Sequence, residues 1–315
     1  LVTQTEEDFV ACNLDVGVYY GDRKEVGRYN TIATWQSLNV LEKKAKNEHS
    51  TEFKEFCEGI NTVIIDEVHM AKADVLKRLL TGPFAHCGIR WGLTGTVPKA
   101  DYEFMGIKCS IGEVANRIQA SELQDKGVLA NCHVNVLQTQ DHPQFKTYAE
   151  ELKWLTTDTT RMTWIANTIK DIATSGNTLI LVDRISAGQM LEKKIKDSVF
   201  VSGSTKNVDR KEQYDEVSTA TNKVIIATYG VASVGINIPR IFNLVLIEPG
   251  KSFVRVIQSI GRGIRKAEDK ENVQIWDITS SCKFAKRHLG ARKKFYKEAN
   301  YPYNIEKVNY ENPYT

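Results

Sequence analysis

No stretch of this 315-residue sequence approaches the roughly 18 consecutive apolar residues that a membrane-spanning helix requires, so no membrane partner is expected. The first nine residues carry Glu6, Glu7 and Asp8 where a secretory signal has its basic region, and the expected location is cytoplasmic. The six cysteines never come as close as Cys-x-x-Cys. Cys87 and Cys132 each adjoin a histidine, but neighbouring side chains on a strand point to opposite faces. Neither a disulfide framework nor a zinc site is implied, and reduced structural thiols are expected. Repeats and low-complexity tracts are missing too. Net charge is small, at +3, but unevenly held: residues 250–315 contain 14 Lys/Arg against 7 Asp/Glu, so the rest of the chain is slightly acidic. A basic end of this kind suits nucleic acid, or is simply a solvated helix face. With 42% hydrophobic and 26% charged residues the composition is globular, and the length allows two ordinary domains.

What is present centres on Asn61-Thr-Val-Ile-Ile-Asp-Glu-Val-His69. Its β-branched run reads as a strand buried on both faces of a parallel sheet. Ligands of open α/β sheets sit beyond the carboxyl ends of the strands, where Asp66 and Glu67 would be delivered as a pair. Nucleotide hydrolysis uses such a pair: one carboxylate holds hydrated Mg²⁺, the other orients or deprotonates the attacking water. The alternative is a strand ending in solvated acids.

Along the rest of the chain, strands alternate with helical patterns. Helical spacing recurs at Val75, Leu76, Leu79 and Leu80, and Ile89 to Thr96 reads as a strand ending in two threonines around a glycine. After the alternating strand His133 to Leu137, the polar stretch 138–158 reads as a linker. Strands then follow at 178–182, 199–203, 223–228, 244–248 and 273–278, with helices at 187–196, 208–217 and 253–266 between them. The expected fold class is α/β, with two parallel-sheet domains. The expected boundaries are 1–137 for the first domain, 138–158 for the linker, 159–300 for the second domain and 301–315 for a tail.

Five short signals occur in a fixed order: Thr34-Trp-Gln-Ser-Leu38, Asp66-Glu-Val-His69, Thr94-Gly-Thr96, Ala227-Thr-Tyr-Gly230 with Gly235-Ile-Asn-Ile-Pro239, and Gln258-Ser-Ile-Gly-Arg-Gly-Ile-Arg265. In this order they resemble the superfamily 2 DExH helicases, and within them the recombination helicases of tailed phages, from about Leu1 to Tyr310. Gln258, Arg262 and Arg265 fall at i, i+4 and i+7, one face of a helix, where two guanidiniums can clasp a transferring γ-phosphate. Gly261 and Gly263, poor helix formers beside Arg262, suggest close approach by backbone or ligand.

The resemblance implies two RecA-like domains, ATP and Mg²⁺ as cofactors, and DNA, branched or forked, as partner. It implies Asp66 as the holder of Mg²⁺ through water, Glu67 as base, and Arg262 and Arg265 as arginine fingers alongside Gln258. Gly235 and Asn237 fall in the nucleotide-contacting segment. The family commonly has Asp at the latter position, and Asn237 keeps an acceptor for the ribose without the charge. His69 resembles the residue that couples the nucleotide to Thr94 and Thr96; the alternatives are a satisfied polar histidine and threonines that cap a helix. Thr34, Trp35, Gln36, Ser202, Gly203 and Thr228 fall where the family touches the phosphate backbone. The indole of Trp35 either stacks on a base or packs inside.

One departure is large. No Gly-x-x-x-x-Gly-Lys-[Ser/Thr] occurs, and Ser202-Gly-Ser-Thr-Lys206 has the wrong spacing. Without that loop nothing cradles the β- and γ-phosphates. The expectation is a DNA helicase or branch migrator, inactive as this chain alone, whose phosphate loop comes from another polypeptide segment; the alternative is a non-catalytic nucleic-acid-binding or regulatory subunit. The basic run Lys283 to Lys297 reads as a helix with cations around most of its circumference, either solvated or in contact with a duplex.

Overall fold

A computed structural model describes residues 2–27, 29–69, 74–95, 97, 101–203, 220–235, 240–251 and 272–310. They form two compact units, residues 1–117 and 118–315.

In the first unit, α1 (Val2–Ala11) precedes a small sheet in which β1 (Gly17–Tyr20) lies between β2 (Arg23–Lys24) and β3 (Thr31–Ala33). Helices α2 (Trp35–Asn47) and α3 (Glu52–Cys57) follow. A second sheet has two parallel strands, β4 (Thr62–Ile65) and β5 (Ile89–Gly92), with α4 (Asp74–Thr81) between them in sequence and α5 (Asp101–Ser110) after. The α4 pattern is the expected one: Leu76, Leu79 and Leu80 are buried.

β4 departs from expectation. Val63 and Ile65 pack on the clusters built from α2, α4 and α5, but the other face of the sheet is open. There Ile64 is 58% exposed, Ile89 50% and Trp91 62%, and Leu93 just beyond is 51% exposed. The strand expected to be buried on both faces is covered on one, because no described element of this unit packs on the side that carries Ile64 and Trp91.

In the second unit, α6 (Ala120–Asp125) leads into β6 (Asn131–Thr139), α7 (Tyr148–Leu155), α8 (Thr159–Ala173), β7 (Thr178–Val182), α9 (Ile185–Lys194) and β8 (Ser198–Val201). Then come β9 (Val224–Thr228), α10 (Tyr229–Gly235), β10 (Asn243–Ile247), β11 (Asn272–Ser280), α11 (Lys283–Glu298) and β12 (Tyr303–Val308). Seven strands form one all-parallel sheet in the order β12-β6-β11-β10-β7-β9-β8. Its apolar strands alternate strictly between two cores. Leu179, Leu181, Ile225, Ala227, Leu244 and Leu246 face α10 and α11, while Ile180, Val182, Val224, Ile226, Val245 and Ile247 face α8 and α9. This is the α/β, parallel-sheet class the sequence implied, and the sheet is of the RecA-like kind.

The expected boundaries need correcting at both ends. β6 was assigned to the first domain, but it pairs with β11 over nine residues, from Asn131↔Asn272 to Thr139↔Ser280, inside the second sheet. Residues 138–158 are no linker, since they include α7, whose Leu152 and Leu155 are buried and whose start is fixed by a Thr147/Glu150 capping box. Nor is 301–315 a tail: Tyr303–Val308 is the edge strand β12, paired with β6.

Candidate functional site

β4 and β5 run in register, Ile65 opposite Gly92, so both deliver their following residues to one edge. The pairing continues past the strands, with the Leu93 amide donating to the Ile65 carbonyl at 2.8 Å and the Val68 amide to the Leu93 carbonyl at 2.9 Å. Between them the chain turns sharply through Glu67, whose φ of +50° lies in the left-handed region that non-glycine residues seldom enter. Such backbone strain gathers at functional sites, and here it falls on the second acid of the Asp66-Glu67 pair. The Glu67 amide donates to Asp66 Oδ1 at 2.9 Å, which steadies the turn from within.

The turn aims three side chains at each other. His69 Nδ1 stands 2.9 Å from Thr94 Oγ1 and 3.2 Å from Glu67 Oε2. Asp66, by contrast, is exposed. Beneath them Val68 is buried and lies hard against Gly92, where an added Cβ would come within 2.8 Å of a Val68 methyl. Gly92 is therefore required for the turn to settle on β5. Gly92→Ala is expected to cost about 1–3 kcal/mol through overpacking. Gly88→Ala, whose methyl would meet nothing, should cost far less. Urea titrations of the two variants measure the difference.

The remaining candidates of the first unit divide. Thr34 is the N-cap of α2: its Oγ1 accepts from the Ser37 amide at 3.3 Å. Trp35 is half-buried and packs on both apolar clusters of the unit, which favours the packing role over stacking. Gln36 is exposed on the first turn of α2. Thr96 lies outside the described residues.

In the second unit β8, β9 and β7 end level with one another, Val201 opposite Ala227 and Thr228 opposite Val182. Ser202 and Thr228 are thereby brought to one edge, with Gly203 just beyond. Thr228 Oγ1 accepts from the Val231 amide at 3.4 Å, and Gly203 has open space around its Cα. Arg184, which follows β7, stands at the same edge. Its Nε is buried with no hydrogen-bond partner among the described residues. Gly235 closes α10, while Asn237, Gln258, Arg262 and Arg265 lie outside the described residues.

Beyond the ends of β6, β10 and β11 lies a buried ionic network. Arg161, fully buried near the start of α8, donates to Glu248 Oε1 at 2.7 Å and lies 3.5 Å from Asp141 Oδ2. Thr139 and Ser280 hydroxyls donate to Asp141 Oδ2, and the Tyr310 hydroxyl to Oδ1, each at 2.6 Å. Glu248 is itself in the left-handed region, at φ +43°. Burial pushes its carboxyl up to about 7, against the pull of Arg161 and Arg292. Alongside, Arg292 of α11 forms a two-pronged pair with Asp277, at 2.8 and 2.9 Å, and donates to the Gly250 carbonyl at 2.7 Å. Glu248 and Gly250 stand in sequence just before residues 252–271, which hold Gln258, Arg262 and Arg265 and lie outside the described residues.

Residues 160–267 match the family described as Helicase conserved C-terminal domain. Across the whole chain the sequence is 25% identical to the ATP-dependent DNA helicase uvsW of Enterobacteria phage T4, over 94% of this chain and 60% of that protein. The crystal structure of T4 UvsW superposes with a TM-score of 0.51 at 22% identity, covering 98% of this chain and 66% of that one. The second unit thus carries the match to a helicase C-terminal domain, and the fold is the one seen in helicases. The helicase MrfA, in a crystal structure bound to DNA and AMPPNP, shares the fold with a TM-score of 0.63 at 14% identity, over 97% of this chain and 43% of that one. The chain thus spans about 60% of its T4 relative.

The helicase relatives imply ATP and Mg²⁺ as cofactors, and the Asp66 carboxylate is of a kind that could hold the ion. Mg²⁺ keeps several waters and takes one or two carboxylates plus substrate phosphates. Asp66 is exposed and engages only Oδ1, in the turn. Among the described residues there is no group of three or more His, Cys, Asp or Glu that could hold a metal ion. Sequence reasoning missed Arg161, Glu248, Asp141, Arg292 and Arg184. The one available signal was that Glu248 ends an apolar strand, as Asp66 and Glu67 follow one.

Proposed function

We propose that the chain is the motor portion of an ATP-driven DNA helicase or branched-DNA translocase, of the kind that remodels forks and recombination intermediates, and that its phosphate loop comes from polypeptide outside these 315 residues. The observation that carries this reading is the contact from Glu67 through His69 to Thr94. A carboxylate placed to take a proton from water is linked, through one imidazole, to the threonine loop of the next strand. Movement of Glu67 on hydrolysis is then felt at Thr94, and through Thr96 at the nucleic-acid groove.

In this mechanism Asp66 holds Mg²⁺ through water, and the ion supplies charge neutralisation at the β- and γ-phosphates. Glu67 accepts the proton of the attacking water. Arg262 and Arg265, with Gln258, stabilise the charge of the transferring phosphoryl group, and Gly235 and Asn237 contact the nucleoside; these roles rest on the family resemblance. Thr34, Gln36, Ser202, Gly203 and Thr228 contact phosphates of the DNA backbone, and hydroxyls and amides suit contacts that read no sequence. Arg184, with its unpaired Nε, joins them.

The open face of β4 and β5 supports the need for an outside segment. A parallel sheet is ordinarily covered on both faces, and a patch of Ile64, Ile89, Trp91 and Leu93 is the kind of surface another element covers. A strand, phosphate loop and helix would supply the cover and the missing cradle together. Expression of residues 1–315 alone, and with the upstream coding region, tests this. DNA-stimulated ATPase is expected only from the combination, with dye binding at exposed apolar surface falling as the complex forms. ATP hydrolysis by the 315-residue chain unaided would sink the proposal.

A further inference from the structure

The helix α11 has a use that the motor reading leaves open. Its cations do not surround it, as the sequence suggested. Arg292 is buried against Asp277, together with Ala285, His288, Leu289 and Tyr296. The other cations stand on the opposite side: Lys283, Lys286, Arg287, Lys294 and Lys297 are exposed and Lys293 is half-buried. At 3.6 residues per turn they fall within an arc of about 120°, and from Lys283 to Lys297 the row is about 21 Å long. None of the six has an ion-pair partner among the described residues; Lys283 and Arg287 lie over the Phe284 ring instead.

Gly290 sits in the middle of this row. It is exposed, and beyond the helix's own backbone no atom of the described residues lies within 4 Å of where its Cβ would stand. Glycine is, after proline, the poorest residue for a helix interior, and packing among the described residues gives no reason for it here. A glycine at such a place lets another backbone approach the helix closely.

We propose that the exposed face of α11 binds the sugar-phosphate backbone of a nucleic-acid duplex, with the strand passing over Gly290 and the cations on either side pairing with successive phosphates. The inference rests on the nucleic-acid reading above and adds a contact apart from the five short sequence signals. A duplex is favoured over a single strand by what the face lacks. Single-strand sites combine cations with exposed aromatic rings on which bases stack, whereas Phe284 and Phe295 are half-buried on the flank of the helix. The buried Arg292–Asp277 pair and Tyr296, whose hydroxyl donates to Asp277 at 2.8 Å, hold the helix rigidly on the sheet, as a fixed row of charges requires.

The test measures binding of the full 315-residue chain to a 30-base-pair DNA duplex without nucleotide, over a range of salt concentrations. Each phosphate contact contributes about 0.9 to the slope of log K against log salt. The triple variant Lys286→Gln/Arg287→Gln/Lys294→Gln is expected to lose about 2.7 from that slope and at least tenfold in affinity. Gly290→Glu should weaken binding at least as much as one lost cation while its melting temperature holds. Lys170→Gln, exposed on α8, a helix that covers the other core, is the control for general charge. Variants that bind as the wild type does would overturn the proposal and leave α11 as a solvated face or a site for an acidic protein. The motor reading would be untouched by that result, whereas a wild-type chain that binds no duplex at any salt concentration would overturn both.

Discussion

Glu67→Gln is expected to lower ATP hydrolysis by about 10²- to 10⁴-fold in the complex that carries the phosphate loop, the range that a positioned general base supplies. The amide keeps the length of the side chain and makes the same demand on the left-handed turn, so nucleotide binding should stay close to wild type. It cannot accept the proton of the attacking water. His69→Ala makes the complementary cut. The carboxylate survives, but its link to Thr94, formed by contacts of 3.2 and 2.9 Å, is gone. Basal hydrolysis should persist while stimulation by DNA is lost. Steady-state ATPase assays with and without DNA, beside nucleotide-binding titrations, separate the two outcomes. A Glu67→Gln complex that keeps most of its turnover would remove Glu67 from the chemistry.

The acidic turn was legible in the sequence because its signal is local: a β-branched run, then acids, then histidine. What the turn required beneath it was not. Gly92 is 24 residues from Val68, and only the register of β4 with β5 brings them together. β6 misled for a related reason. The alternation His133-Val-Asn-Val announces a strand, but alternation does not say which sheet the strand joins, and its partner β11 begins at Asn272. Charge was the least legible feature. Arg161 and Arg292 sit in helices whose lysines and acids are on the solvent side, and a helical pattern cannot tell a paired, buried arginine from a solvated one. Their partners were the better clue, since Asp277 lies within a strand and Glu248 ends one that is otherwise apolar.

Arg161→Met is expected to destabilise the second unit by about 3–5 kcal/mol, the usual result of removing one member of a buried ionic network. Asp141 and Glu248 would be left facing each other without the guanidinium that both approach. Glu248→Gln should behave in the opposite sense, and the reason is the burial of a charge. Glu248 is buried, and Arg161 and Arg292 offset the cost of its charge only in part, with Asp277 and Asp141 adding to it. Burial raises that carboxyl from 4.5 to about 7. An acid whose folded pKa lies above its unfolded one stabilises the fold fully below the unfolded value, and the contribution is lost as pH rises through the folded one. Wild-type stability should therefore decline between about pH 4.5 and pH 7, by a few kcal/mol at roughly 1.4 kcal/mol per unit. Glu248→Gln keeps an acceptor for Arg161 and has no proton to lose, so its urea midpoint should vary less over this window and exceed that of the wild type at pH 8. If wild type and variant fell in parallel from pH 5 to pH 8, Glu248 would be ionised throughout, and its burial beside Arg161 would be an ordinary ion pair. The consequence for the motor is direct. Glu248 and the Arg292-bonded Gly250 carbonyl fix the point where the chain leaves β10 toward Arg262 and Arg265, so a change that loosens the network should lower turnover before it unfolds the sheet.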